Sequence, residues 1–503
     1  MKIFASILTG LILLSNSTET KIDREEREVY VSYYENVLGT SLELKFISPT
    51  ENDAEKAEIE AINEIKRLSS IFSAYDSESE FSLWMRAELN RPKIVSRELY
   101  NMLYLFQEWR DKTSGALNSS AAIAGNLWQK SAELKRLPTK TEIAKAVSQM
   151  AHRQYVLDST NMTATRISDN PIVMNSFAKS YIINAACNAA LKNSKVSGAV
   201  VNIGGDLVIK GDVDDRVNVT NPVSNAENDA PLDQLILNNK AIATSGNYRR
   251  GVQIGEKWYS HIIDPRSGKP VDDVISATVI AENATDAGAL ATAFNVLSLE
   301  ESRNLAEQFT DVEYLIVTKS GKKLRSAGWM KFVNRPKEDV KTKTPINQRG
   351  EKPWDPKYEL LISLELNVIS GNTHRPFAAI WVENEKRQSV RNLALWYNKT
   401  KWLPDLRNWY RINGERFKAN KESYTSVTGA TRSPGKYAIK WDGKDDNGNY
   451  VPQGKYTIHI ESAKEQGTDE IIRQPLELKK TALKVTQAGN VEVSNVSFEF
   501  RKK

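Results

Sequence analysis

The chain has 503 residues, more than one hydrophobic core usually serves, so we expect at least two large structural units. It carries 69 basic and 63 acidic residues mixed along its length, for a formal net charge of +6. This mixture lacks the basic stripe of a nucleic-acid binder, and we predict no nucleic-acid partner. The single cysteine, Cys187, excludes an internal disulfide.

The N-terminus predicts export. Lys2 precedes an apolar run from Ile3 to Leu14, and small polar residues continue to Thr18. The run is shorter than the ~20 residues that a membrane span needs, and its flanks are typical of a secretory signal peptide over residues 1–18. No Ala-x-Ala cleavage pattern is present, which keeps an uncleaved anchor as the alternative. We expect an exported chain that is periplasmic or associated with the cell envelope.

Residues 28–332 have the mixed pattern of an α+β unit. Strand-like alternation gives way to helical spacing, and strands and helices then follow without a regular strand-helix-strand repeat. Ser96 is a candidate N-cap. In chain order we predict paired strands over 28–47, helices over 54–72 and 96–112, a helical pair over 133–150, strands over 172–177, 199–211, 216–222, 241–248, 257–264 and 275–281, and helices over 287–297 and 299–309.

A second unit follows a composition shift. Residues 333–357 are rich in Lys and Pro and poor in apolar residues, as in a solvated linker. Beyond them, short apolar strands alternate with turn signals, including a hairpin turn from Asp446 to Asn449. Residues 358–503 therefore predict an Ig-like all-β sandwich.

Eight short blocks stand in order between residues 38 and 297. They are LGTSLEL (38–44), IFSAYDSESEFS (71–82), TSGALN (113–118), NSFAKSY (175–181), VVNIGGDL (200–207), ATSGNYRR (243–250), SHIIDPRSGKP (260–270) and ALATAFNVL (289–297). Together they resemble the FAD:protein FMN transferases, the ApbE family, over about residues 29–330. The resemblance implies an ApbE-like (T-fold-like) flavin transferase domain, here followed by an uncharacterised sandwich domain.

The family's activity implies roles for individual residues. Its members transfer FMN from FAD to a Ser or Thr hydroxyl of a target protein, release AMP and use Mg²⁺. By this resemblance His261 is the base or proton shuttle, and Asp264 acts with it. The implied cofactor-binding residues are Leu38, Tyr75, Ala116, Leu117, Asn118, Lys179, Ile263 and Arg266.

The implied metal site departs from the family's pattern. Ser176, Asp286 and Thr292 are its candidate ligands, but the usual Asp four residues before the Thr is replaced by Gly288. Asp286 precedes Thr292 by six residues, which places it about 240° round a helix from that threonine. Four interpretations stay open: an altered metal site, a slow enzyme, a flavin-binding protein that no longer transfers, and an FAD pyrophosphatase.

A possible acceptor lies in the second unit. Residues Thr428-Gly429-Ala430-Thr431 match the Ser/Thr-Gly-Ala-Thr motif that the family modifies. We therefore expect an acceptor protein with such a motif, and Thr431 is a possible FMN acceptor in cis or from a neighbouring copy. A glycine turn between strands is the alternative interpretation.

Overall fold

The computed structural model describes residues 28–192, 195–248, 250–334, 352–367, 375–424, 426–464 and 469–503. The predicted signal peptide and most of the predicted linker lie outside the described residues. Within these ranges, the helices are all too short or too polar to cross a membrane.

The first unit contains seventeen of the strands that the structure describes. In chain order they are β1 (Glu28–Val37), β2 (Thr40–Ser48), β3 (Lys93–Ile94), β4 (Tyr155–Asp158), β5 (Thr163–Arg166), β6 (Gly198–Ile203), β7 (Asp206–Gly211), β8 (Asp215–Val219), β9 (Asp233–Leu237), β10 (Ala241–Gly246), β11 (Gly251–Ile254), β12 (Lys257–Ser260), β13 (Ile263–Asp264), β14 (Lys269–Pro270), β15 (Val274–Ala281), β16 (Glu313–Thr318) and β17 (Lys323–Arg325).

Eight described α-helices accompany these strands. They are α1 (Glu51–Phe72), α2 (Glu80–Met85), α3 (Arg97–Lys112), α4 (Ala122–Glu133), α5 (Lys140–Ala151), α6 (Ala178–Ala190), α7 (Ala284–Val296) and α8 (Leu299–Ala306), with a 3₁₀ turn at Trp329–Lys331. Local capping defines several starts: Ser96 accepts a hydrogen bond from the Leu99 N–H, as predicted, and Thr139 forms a capping box with Glu142.

An eight-stranded antiparallel sheet organises the first unit, in the order β1-β2-β6-β7-β10-β15-β16-β17. Because neighbouring residues of a strand point to opposite faces, Val201 and Val208 face the core that the helices cover. Val200 and Ile209 face a second apolar cluster on the other side, which Trp329 closes. The sheet is thus buried on both faces.

Three predicted elements of this unit are corrected. Residues 172–177 form no strand; Ile172, Met174 and Phe177 are buried as a loop that leads into α6. Of the helical pair predicted over 133–150, only α5 lies there, and its partner α4 precedes it. Helix α7 begins three residues earlier than predicted because the Asn283 side chain caps its first turn.

The second unit is a two-sheet sandwich, as predicted. Its described strands are β18 (Tyr358–Leu366), β19 (Phe377–Asn384), β20 (Ser389–Trp396), β21 (Thr428–Gly429), β22 (Gly435–Trp441), β23 (Gly454–Ala463), β24 (Asp469–Leu478), β25 (Leu483–Ala488) and β26 (Val493–Lys502). One sheet has the order β22-β18-β26-β25 and the other β21-β20-β19-β23-β24. A helix that was not predicted, α9 (Arg407–Ala419), and 3₁₀ turns at Thr400–Asp405 and Lys421–Tyr424 lie between β20 and β21.

The two units are docked along β1. The Tyr33 N–H donates to the Asn398 carbonyl at 2.7 Å, and the Tyr33 ring packs in an apolar cluster of the second unit. Glu58 of α1 accepts hydrogen bonds from Ser32, Tyr34 and Lys399, so one buried carboxylate joins both units. This docking forms the cleft described next.

Candidate active site

A cleft of about 780 Å³ lies between the two units. Its first-unit wall comes from β2, the β6–β7 turn, β8, β10 and the loop after β12, and Lys179 and His261 are the predicted site residues that line it. Its second-unit wall includes Ser423, Ser426 and Thr428, which we call the second-domain wall. The cleft therefore brings hydroxyl side chains of one unit opposite the histidine of the other.

His261 has the geometry of a neutral base. Its Nδ1 lies 3.0 Å from the Arg250 carbonyl oxygen. A carbonyl only accepts, so Nδ1 carries the hydrogen and Nε2 is the nitrogen that can receive a proton. Partial burial lowers the pKa of His261 below its usual value, and the nearby Arg250 charge lowers it further. The neutral imidazole is thus the prevailing form at pH 7.

Basic groups outnumber acidic groups on the cleft lining. The charged side chains are Lys45, Lys179, Arg216 and Arg250 against Glu43 and Asp215. Lys45 is neutralised locally, since its Nζ lies 2.9 Å from Asp215 and 3.2 Å from Glu43. Lys179 is paired in the same way with Asp206, so Arg216 and Arg250 are the lining cations that favour an anionic ligand such as a diphosphate.

Lys179 is fixed at the first turn of α6 by an ion pair. Its Nζ lies 2.9 Å from Asp206 Oδ2, and the Thr244 N–H donates to the other oxygen of that carboxylate at 3.3 Å. Asp206 follows the Gly204-Gly205 turn, where both glycines have positive φ. A Cβ on Gly204 would approach the Thr40 side chain to 2.7 Å, so the turn fits closely against the β1–β2 hairpin.

Asp264 and Arg266 form a closed ion network instead of facing the cleft. Asp264 Oδ1 accepts from the Arg266 N–H at 2.9 Å and from Arg266 Nε at 3.0 Å. The same guanidinium donates to Glu301 at 2.7 Å. The Asp264 carboxylate is therefore committed to shaping the turn after His261, and Ile263 is buried in an apolar cluster beneath it.

The other predicted flavin-contacting residues lie outside the cleft lining. Leu38 occupies the β1–β2 turn with a φ of 51°, half-buried against the first-unit core. Ala116 and Leu117 are buried. The Asn118 side chain makes hydrogen bonds within the first unit: its Nδ2 donates to the Met150 carbonyl, and its Oδ1 accepts from the Ser120 hydroxyl. Tyr75 is 91% exposed on the loop between α1 and α2. The structure thus brings Lys179 and His261 together, but leaves Tyr75 free of the core.

The predicted metal ligands separate into two places. Thr292 Oγ1 donates to the Ser176 carbonyl at 3.2 Å, so these two oxygens meet where α6 and α7 approach. Burial raises the pKa of Asp286, whose carboxylate also interacts electrostatically with Lys112, Asp311 and Glu108. Across the described ranges, His, Cys, Asp and Glu form no group of three that could hold a metal. The oxygens at the Ser176–Thr292 pair are neutral and do not fit a resident Mg²⁺, which prefers carboxylates.

Thr431 lies at the interface between the units and does not line the cleft. It is 6% exposed, and its hydroxyl donates to Glu35 at 3.3 Å. Arg375 donates to the same Glu35 carboxylate. In this arrangement the Thr431 hydroxyl is occupied by the docking contact.

Sequence reasoning missed three parts of the cleft. Arg250 belongs to the recognised block ATSGNYRR, but the 3.0 Å contact between its carbonyl oxygen and His261 Nδ1 is apparent only in the structure. Lys45 and Arg216 had no motif, although Lys45 sits in the strand that follows Leu38. The second-domain wall depends on docking, for which the sequence carried no signal.

Comparison with known proteins bears on both units. A family model described as "ApbE family" matches residues 38–316, and one described as "Predicted periplasmic protein (DUF2271)" matches residues 359–495. The FAD:protein FMN transferase of Haemophilus influenzae is 25% identical over 349 residues, covering 66% of this chain and 99% of the relative. That of Klebsiella pneumoniae is 26% identical over 300 residues, covering 59% and 91%.

Solved structures give the same result for the first unit. The ApbE protein of Thermotoga maritima is 27% identical with a TM-score of 0.55, covering 61% of this chain and 100% of its own. The flavin transferase ApbE of Vibrio cholerae is 21% identical with a TM-score of 0.51, covering 61% of this chain and 99% of its own. The first unit therefore has a similar fold to that structure.

Proposed function

This chain belongs to the ApbE family, and we propose that it is an exported FAD:protein FMN transferase. The first domain, residues 28–332, binds FAD and carries out transfer, and the second, residues 358–503, forms the opposite wall of the cleft. The observation that carries the proposal is the position of His261 on a cleft with basic side chains, where the Arg250 carbonyl holds Nδ1 and Nε2 is left to accept a proton. The description of the second-unit family as periplasmic supports export.

The proposed reaction needs one base and positive charge. The acceptor hydroxyl oxygen attacks the phosphorus of the FMN half of FAD while His261 takes the hydroxyl proton. A new P–O bond to the acceptor forms, the diphosphate P–O bond breaks, and AMP leaves. Arg216 and Arg250 line the same cleft as the Lys179–Asp206 ion pair and offset negative charge on the diphosphate. Asp264 holds the turn that follows His261 and is a positioning residue.

A second candidate function is a flavin-binding protein that does not transfer. The observation that favours it is Gly288, which stands where a metal-binding carboxylate is expected and leaves only neutral oxygens nearby. Because the residues present do not fit Mg²⁺, we assign no step to a metal.

One incubation separates these functions. Purified protein is mixed with FAD and a peptide bearing a Ser/Thr-Gly-Ala-Thr motif, with and without Mg²⁺, and AMP release and covalent flavin fluorescence on a denaturing gel are followed. If the protein is a transferase, AMP release and covalent flavin labelling of the peptide should increase together. Bound flavin with neither signal would establish the second candidate, and free FMN with AMP but no labelled peptide would indicate a pyrophosphatase.

A matched histidine pair tests the role of His261. The Nδ1 of His152 also bonds a carbonyl, that of Ser148 at 2.7 Å, but His152 lies outside the cleft lining. We expect H261Q to reduce transfer by ~10²–10⁴-fold, the usual contribution of a general base, and H152Q to leave it unchanged. Equal rates for H261Q and wild type would remove His261 from the mechanism.

The acceptor is proposed to be a separate protein with the motif, and Thr431 is the candidate within this chain. Modification of Thr431 requires the Glu35 contact to open, since that hydroxyl is buried at the docking interface. Intact-mass analysis after incubation with FAD should show addition of one FMN less water, and T431A should abolish it. An unchanged wild-type mass would exclude Thr431.

A further inference from the structure

The start of α6 and the second turn of α7 meet at Ser180 and Gly288. A Cβ built on Gly288 would lie 2.3 Å from Ser180 Oγ and 3.1 Å from Ser180 Cβ. It would also lie 3.3 Å from the Phe177 Cβ. The Ser180 side chain therefore fills the space in which any side chain at position 288 would begin.

The Ser180 hydroxyl is unusual for a buried group. Ser180 is 3% exposed, and within the described residues its Oγ has no hydrogen-bond partner. Buried hydroxyls normally find a partner, and a helical serine often bonds the carbonyl four residues earlier. Here that carbonyl, of Ser176, accepts from Thr292 at 3.2 Å. The hydroxyl is thus directed at Gly288 and not at a protein acceptor.

Three oxygens consequently collect between these helices: the Ser176 carbonyl and the hydroxyls of Ser180 and Thr292. All three are neutral. The nearest carboxylate along the chain in α7 is Asp286, two residues before Gly288, and it interacts electrostatically with Lys112, Asp311 and Glu108. Mg²⁺ is usually bound in proteins through one or two carboxylates, and this group of oxygens has none.

We propose that Ser180 and Gly288 are a coupled pair that closes a cation position, so that this chain binds FAD without a resident divalent cation. The proposal rests on the proposed function only in naming FAD as the ligand. Gly288 carries no side chain, and the Ser180 side chain occupies the space that a Cβ at position 288 would need. Neutralisation of the diphosphate then falls to the cleft cations Arg216 and Arg250.

The first test measures the coupling without any ligand. G288A should lower the melting temperature, because its Cβ would lie 2.3 Å from the Ser180 hydroxyl, which must rotate away, and 3.1 Å from the Ser180 Cβ. In the S180G background the same change should cost little, since the obstructing side chain is gone. Equal losses in both backgrounds would show that the two positions are independent and would overturn the pairing.

The second test asks about the cation directly, with Mn²⁺ as a paramagnetic stand-in for Mg²⁺ and no FAD present. Wild type and S180G should show no saturable Mn²⁺ binding by electron paramagnetic resonance, whereas S180G/G288D should gain one site that T292A weakens. Saturable binding to wild type that T292A abolishes would overturn the proposal, as would the absence of binding to a folded S180G/G288D.

FAD binding separates this inference from the proposed function. Flavin fluorescence titration of wild type should give the same affinity in EDTA as in Mg²⁺, and S180G/G288D should bind FAD more tightly when Mg²⁺ is present. Failure of wild type to bind FAD at all would refute the transferase proposal, while the Mn²⁺ titrations would still decide whether the cation position is closed. A loss of wild-type FAD binding in EDTA would refute the inference alone.

Discussion

The Glu58–Lys399 contact predicts energetic coupling between the two domains. Lys399 Nζ lies 2.7 Å from Glu58 Oε1, and the two side chains are 27% and 11% exposed. Removing one partner of a fully buried pair costs ~3–5 kcal/mol, but Lys399 is partly solvated. Ser32 and Tyr34 also remain as donors to Glu58. We therefore expect K399M and E58Q each to cost about 1–2 kcal/mol of unfolding free energy.

A double-mutant cycle measures the coupling itself. Because the two groups are in contact, the penalties should fail to add, with an interaction energy of about 1 kcal/mol in denaturant unfolding of the full chain. The matched control is the looser pair of Lys401 and Glu55, which are 3.7 Å apart and 48% and 45% exposed. K401M and E55Q should show an interaction energy close to zero. Strictly additive penalties for K399M and E58Q would refute the docking that forms the cleft.

Three further predictions concern titratable groups. Burial raises the pKa of Glu461 to about 7, so the folded state favours its protonated form. The stability of the second domain should therefore be highest below the unfolded pKa of ~4.3 and should fall as the pH rises through about 7. Chemical denaturation should show a loss of ~2 kcal/mol over this range for wild type and none for E461Q. A wild-type slope retained in E461Q would contradict that origin. Because the pKa of His261 is lowered, the rate of AMP release should stay constant near pH 7 and decline only below the ordinary imidazole pKa of ~6.5. A decline in rate that begins above pH ~6.5 would contradict a neutral base. Burial raises the pKa of the Cys187 thiol to about 12, so thiol reagents should label it only after denaturation, and rapid labelling of native protein would show that α6 opens.

Elements with complete local signals were predictable from the sequence. Ser96 capped α3 because a serine before an apolar helical repeat satisfies backbone donors without tertiary help. The Gly204-Gly205 turn followed from adjacent glycines between two apolar strands, and the structure gives both a positive φ. The predicted misplacement of Asp286 relative to Thr292 followed from helix geometry alone.

What the sequence did not predict depends on distant contacts. Residues 172–177 look like a strand because their apolar side chains are buried, yet they have no strand neighbour and bond instead to Ser119 through Val173. Helix α9 was missed because its polar residues hide an apolar face that includes Trp409 and Phe417. The two walls of the cleft are more than 160 residues apart in sequence, between His261 and Ser423, and only docking brings them together.

The position of β1 has a consequence for how the first domain can be handled alone. β1 ends the eight-stranded sheet, and the second domain covers its outer side through the Tyr33–Asn398 hydrogen bond and a bridge between Ser32 and Lys399. A fragment that stops before the linker would present an unpaired row of backbone donors and acceptors. Such bare edges recruit strands from other molecules, so we expect the second domain to protect the β1 edge from self-association while the chain folds.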